Sequence, residues 1–157
     1  ACELDVFKSV LKSLNIGPKY FRLGLNPDKI EKSFDHGFGI INISEEAKST
    51  VISLGPIAQE FLDIHKDFDH FSCFEFSFTE IPSSLEESIN KTKRLVVAEE
   101  HTKSGGLGEK IIAMLQEKNL EFNFMHRYAD HYHGRFGDQN FHRIQNGLCK
   151  DSLAKIV

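Results

Sequence analysis

Residues 94–115, RLVVAEEHTKSGGLGEKIIAML, constrain the fold of this chain more than any other stretch. Arg94 to Ala98 is short, apolar and β-branched, the pattern of a strand. A polar loop and the glycines Gly105, Gly106 and Gly108 follow. Leu107, Ile111, Met114 and Leu115 then recur at helical spacing. Strand, loop and helix in that order are the repeating unit of an α/β protein.

The flanking sequence repeats this alternation. GIINI (39–43) and STVISL (49–54) flank the polar stretch SEEAK and predict a hairpin. Gly55-Pro56 opens a helix carrying Ile57, Phe61, Leu62 and Ile64, since proline is tolerated in a first turn. FSCFEFSF (71–78) predicts a strand with Phe74, Phe76 and Phe78 on one face. Ser84 and Glu87 form a capping box for a helix through about Lys91. EFNFM (121–125) predicts a further strand, and 139–146 and 151–157 two last helices split by Gly147. These elements make a three-layer αβα sandwich over 38–157, with a mostly parallel, five-stranded mixed sheet whose hairpin supplies one antiparallel edge strand. Before it, Leu4, Phe7, Leu11 and Leu14 mark a helix that Gly17-Pro18 ends. KYFRL (19–23) is a short strand, and 24–37 is a linker of turn-formers and charges.

The 157 residues suffice for one domain with a real core. A net charge of −4 makes no case for nucleic acid or an anionic membrane as partner. No apolar run approaches the length of a membrane span, and no signal peptide is visible. Cys2, Cys73 and Cys149 have no metal-ligand spacing and are expected to be free thiols in a reducing compartment, the cytoplasm. Ala1 opens the chain close to a helix, which suggests a processed start or a piece of a longer polypeptide.

The loop at the end of 94–98 invites a phosphate, because a helix N-terminus with nearby glycines cradles anions. The residues argue against it. The dinucleotide fingerprint requires a third glycine where Ile111 stands, and the P-loop lacks its Lys-Ser or Lys-Thr. Glu99 and Glu100 would repel a neighbouring phosphate. The plain alternative is close backbone packing at Gly105, Gly106 and Gly108. His101 beside two carboxylates has the elements of a general base, yet no nucleophile accompanies it.

The string VVAEEHTKSGGLGEKI resembles the signature of transketolase C-terminal domains: a hydrophobic strand, Glu-Glu-His or Glu-Asp-His, Gly-Gly-Leu/Ile-Gly, then a helix. Weaker matches follow in order along the chain. GPKYFRL resembles the closing strand of the preceding pyrimidine-binding domain, and 4–14 its last helix. TVISLGPIAQEFL resembles the first core strand, glycine turn and helix; FTEIPSS and NGLCKDSLAKIV resemble later family segments.

The resemblance implies that residues 1–23 are the tail of a pyrimidine-binding domain, 24–37 a linker and 38–157 a transketolase C-terminal domain. Such a domain completes the fold and the dimer of an enzyme that transfers two-carbon ketol units between sugar phosphates. Thiamine diphosphate and Mg would be bound by other domains of the parent enzyme, and the isolated chain is expected to be inactive. Its implied partners are those domains, or an N-terminal subunit, within a homodimer of the parent. Arg22 matches an arginine that contacts a substrate phosphate in the family, a role suited to its planar fork; a linker arginine is the plainer alternative. Glu99, Glu100, His101, Gly105, Gly106 and Gly108 are implied to be a structural loop, with no catalytic or metal-binding residue among them. An assembly or binding module of a 2-oxo-acid dehydrogenase-like or deoxyxylulose-phosphate-synthase-like complex is the alternative.

Residues 126–143, HRYADHYHGRFGDQNFHR, depart most from the family pattern. His126, His131, His133 and His142 gather there with Arg127, Arg135 and Arg143. A metal site with Asp130 is chemically conceivable. A solvated loop is the plain reading, and Tyr128, Tyr132 and Phe136 could anchor it to a neighbouring subunit.

Overall fold

The computed structural model describes residues 37–64, 67–130 and 134–157, the backbone of 34–35, and positions 7, 10, 11, 13, 14, 17, 18 and 20. Strands β1 (Phe34–Asp35), β2 (Phe38–Asn42), β3 (Ser49–Leu54), β4 (Phe68–Cys73), β5 (Arg94–Ala98) and β6 (Asn123–Arg127) form one sheet in the order β1-β2-β4-β3-β5-β6. β3 lies parallel to β4 and β5, and β6 parallel to β5. β2 is antiparallel to β4 and to β1. A 3-10 helix (Gly55–Phe61) and helices α1 (Ser83–Thr92), α2 (Leu107–Gln116), α3 (Gln139–Gln145) and α4 (Lys150–Leu153) accompany the strands.

Alternation along the central strands builds two cores. Ile52, Leu95 and Val97 point to one face, where Leu85 and Ile89 of α1 and Leu107, Ile111 and Leu115 of α2 cover them. Val51, Val96 and Ala98 point to the other, against Ile57, Phe61, Leu148, Leu153 and Ile156. Strands sandwiched in this way are apolar at successive positions, which explains the unbroken RLVVA run. The architecture is therefore the expected α/β sandwich with a mixed sheet, which the two-residue β1 extends at one edge.

Several details differ from the sequence expectation. β2 and β3 are not a hairpin, because both edges of β3 are taken by parallel partners and β2 pairs with β4 instead. The strand expected at 71–78 runs from Phe68 to Cys73. Its ladder stops where the Gly37 carbonyl accepts the Phe74 and Glu75 amides. Phe78 then folds back edge-on to Phe38 at 4.7 Å, and Phe76 is exposed. Ser84 caps nothing: α1 starts at Ser83 after Pro82, with no side-chain cap. β6 lies two residues later than expected, and α4 ends at Leu153. Of the expected linker, 34–35 form β1 and 24–33 lie outside the described residues. Of the helix expected over 4–14, positions 7, 10, 11 and 13 are described and helical. The strand at 19–23, and with it Arg22, lies outside the described residues apart from position 20. Cys73 and Cys149 are free thiols, and burial pushes the Cys73 thiol up to about 12; Cys2 is outside the described residues.

β4 escapes a pattern search at its start because Asp69 and His70 are polar yet buried. Each is satisfied. Asp69 accepts from the Ser88 hydroxyl at 2.7 Å and the Ser44 amide at 2.8 Å, and pairs with Lys91 at 2.7 Å. Thr50 extends this network to Ser88 at 2.6 Å and Thr92 at 2.8 Å, so α1 is pinned to the sheet by polar as well as apolar contacts.

On the opposite face the His70 ring meets the Ser53 hydroxyl at 2.8 Å between Phe61 and Phe68. Burial lowers the His70 pKa to about 3, so the ring is neutral in the fold. An unfolded chain takes up that proton near pH 6.5, whereas the folded chain does not. The contribution is complete above pH 6.5 and is lost as pH falls towards 3. Folding stability should therefore fall by about 1.4 kcal/mol per pH unit from this group alone. Urea melts of the wild type and His70→Gln between about pH 5.5 and 4, where the unfolded ring is protonated and the folded one is not, test this: the variant's slope should be shallower by that amount, and equal slopes would refute it.

Candidate functional site

β5 ends in two consecutive carboxylates, and alternation at the strand end sends them to opposite faces of the sheet. Glu99 turns towards α2 and is fully buried. Its Oε2 accepts the Leu107 amide at 2.8 Å, and its Oε1 accepts the Gly108 amide at 2.9 Å. These amides belong to the first turn of α2, where intrahelical acceptors are lacking and the helix dipole favours negative charge. His126 from β6 brings Nε2 within 2.7 Å of the same Oε1. The His101 Nδ1 lies 3.7 Å from Oε2. Burial opposes ionisation of Glu99, but the His126 ring and the Gly108 and Leu107 amides more than offset it. The carboxyl is held below the usual carboxylate value.

The glycines make this approach possible. A Cβ on Gly106 would stand 2.5 Å from both Glu99 carboxylate oxygens, and one on Gly108 would stand 2.5 Å from the His126 Nε2. Both neighbours are fixed by buried hydrogen bonds and have little room to retreat. Gly105 adopts a φ of +73°, and Glu109 accepts its amide. The anion cradle suggested by the glycines thus exists, and the chain's own carboxylate fills it.

Glu100 turns to the other face. It accepts from the Arg143 Nε at 2.6 Å and from the Gln139 side-chain amide, both on α3. The Arg143 Nη1 reaches Glu60 of the 3-10 helix at 2.8 Å, and the second Glu60 oxygen accepts the Lys150 amide at the start of α4 at 2.7 Å. Burial works against charge on Arg143, but Glu100 and Glu60 outweigh it and raise its pKa above the usual arginine value. One guanidinium therefore bridges the ends of β5, the 3-10 helix and both C-terminal helices.

The structure brings Glu99, Gly106 and Gly108 together with His101 at the margin, and separates Glu100 from them. From the histidine cluster it selects His126 as the partner of Glu99. His142 packs edge-on against Phe141 at 5.3 Å, and His131 and His133 lie outside the described residues. Among the described residues no three His, Cys, Asp or Glu side chains converge on a metal position. Glu60 carried no sequence signal, because its partner Arg143 is 83 positions away.

Comparison with known proteins gives the same assignment as the loop. Residues 81–138 match the family model of the transketolase C-terminal domain. The fold is similar to that of a split-gene transketolase solved as an inactive beta4 tetramer, with a TM-score of 0.61 and 21% identity over 88% of this chain and 44% of that one. It is also similar to the transketolase of Campylobacter jejuni, with a TM-score of 0.53 and 16% identity over 80% of this chain and 19% of that one. This chain thus spans less than half the length of either. No curated protein matches it significantly. The family match covers β5, the Glu99–Gly108 loop, α2 and β6, and the fold over most of the chain is similar to that of the two transketolases.

Proposed function

We propose that this chain is the non-catalytic C-terminal part of a transketolase-like enzyme that transfers two-carbon ketol units between sugar phosphates in the cytoplasm, and that it serves the enzyme's fold and dimer assembly. The observation that carries this reading is the internal pairing at the carboxyl end of the sheet. In an open α/β fold that end borders the usual ligand crevice. Here Glu99 is spent on the N-terminus of α2, and Glu100 and Glu60 on Arg143. The acids and the arginine hold the protein's own elements, so the loop residues Glu99, Glu100, His101, Gly105, Gly106 and Gly108 act as structure.

The described residues do not fit thiamine diphosphate and its Mg ion. The one helix N-terminus with a glycine cradle is filled by Glu99, and no three metal-ligating side chains converge among the described residues. In this reading the cofactor belongs to other domains of the parent enzyme, and no step of the reaction is assigned to this chain. Phe7, Leu11 and Leu14, the apolar stripe of the N-terminal helix, are 60%, 51% and 67% exposed, which supports a face covered by those domains in the assembled enzyme. Arg22 remains the proposed contact to a substrate phosphate, on the strength of its motif alone.

Calorimetric titration of thiamine diphosphate with Mg tests the assignment. We expect no heat of binding with the 157-residue chain alone, and saturable binding once it is joined to the diphosphate- and pyrimidine-binding domains. Binding by the chain alone would overturn the reading.

A further inference from the structure

β6 closes one side of the sheet, and among the described residues no strand pairs with its outer edge. The Asn123 amide donates to the Lys93 carbonyl, the Arg127 carbonyl accepts from the Glu99 amide, and the Ala129 amide donates to the His101 carbonyl, each at 2.9 Å. Residues 123, 127 and 129 therefore direct these backbone groups towards β5. By the alternation of a strand, Phe124, His126 and Tyr128 direct theirs away from the sheet. Among the described residues no backbone hydrogen bond reaches those outward groups.

The edge also lacks the features that ordinarily block pairing. Its register with β5 is unbroken over all five residues, so no bulge twists it away. It contains no proline, and Arg127 at its end is its one formally charged side chain. Phe124 is 39% exposed, and its ring, the His126 ring and the Tyr128 ring form a ladder with centroid separations of 6.0 and 4.8 Å.

We propose that β6 pairs antiparallel with β6 of a second copy of this chain, joining the two sheets across a two-fold axis at His126. This deepens the assembly part of the proposed function. A two-fold contact must be self-complementary, and this edge is. With His126 opposite His126, Phe124 of each copy faces Tyr128 of the other, an aromatic cross-strand pair. Met125 faces Arg127, so the guanidinium groups avoid one another. Centring one residue later would set Arg127 against Arg127. Centring one residue earlier would set Tyr128 against Phe122, which precedes β6 and packs against the core. The His126 register uses all three outward residues and yields about six hydrogen bonds between the copies, two per pair.

Sedimentation of the 157-residue chain across a concentration series should show a monomer–dimer equilibrium. Phe124→Pro removes an outward amide that takes no part in the β5 ladder. It should weaken association at least about ten-fold while the circular dichroism stays native. Phe124→Glu should weaken it comparably, and adding Tyr128→Lys should restore it, since those positions face each other only in this register. Phe136→Ala, at a fully exposed ring off the strand, should leave association unchanged. A chain that stays monomeric overturns the pairing, as does a dimer indifferent to Phe124→Pro and Phe124→Glu. The second result leaves the assembly role standing, and the cofactor titration judges the enzyme assignment separately.

Discussion

Glu99→Ala should destabilise the fold by about 3–5 kcal/mol, the largest effect of any single substitution at the loop. The side chain is fully buried, and its removal orphans the Leu107 and Gly108 amides and the His126 ring together. A buried polar group without a partner costs about 1–3 kcal/mol, and three in one place do not add fully. The total is a large share of the 5–15 kcal/mol by which typical domains are stable. Glu99→Gln preserves the shape and one acceptor oxygen, so it should lose only about 1–2 kcal/mol. Urea midpoints of the three proteins measure both values. An alanine variant within 0.5 kcal/mol of wild type would mean that water enters the cradle and that Glu99 does not hold α2 to β5.

Arg143→Ala should cost about 2–4 kcal/mol, and its damage should be local before it is global. The Arg143 side chain is 10% exposed and those of its partners Glu60 and Glu100 are 17% and 22% exposed, so the removal strands two poorly hydrated carboxylates. Partial solvent access puts the loss below that of a fully buried pair. Lysine should recover less than half, because a single ammonium cannot present two separate donors along fixed directions to both acids. Hydrogen exchange is the informative readout. Amides of α3 and α4 should lose protection before those of β3 and β5, and uniform loss across the sheet would contradict a clamp confined to the C-terminal helices.

The sequence made the middle of the sheet legible because β3 and β5 are buried on both faces and consist of short β-branched runs. Their observed bounds match the predicted ones. β4 was displaced by two opposite effects. Asp69 and His70 look like surface residues until their partners Ser88, Lys91 and Ser53 are in place, and the Phe74-Phe76-Phe78 alternation imitates a strand although these residues form a turn. The pairing of β2 was also illegible, because the short, mostly polar stretch SEEAK between two apolar runs suits a hairpin equally well. Only the parallel partners on both sides of β3 exclude it.

At the site, the glycines and Glu99 could be recognised from one continuous stretch. The direction of the carboxylate could not, since a phosphate and a buried glutamate ask the same amides for the same geometry. The fourfold crowding of histidines reads as a solvated loop, whereas His126 serves as a hydrogen-bonding partner of Glu99. Glu60 and Arg143 were beyond reach for a simpler reason: their contact spans most of the folded domain in sequence, and no local period records it.

The central position of β3 also fixes an order of risk during synthesis. Ser49–Leu54 leave the ribosome long before Arg94–Ala98, yet β3 needs a neighbour on each side. When only β4 has emerged, one complete edge of an apolar strand still awaits its partner. A nascent or prematurely terminated chain ending before residue 94 would therefore display that edge to other chains. Such unpaired strand edges are common starting points for aggregation. Pauses while residues 74–93 are emerging would prolong the exposure, whereas pauses after β5 has emerged would find β3 already shielded on both sides.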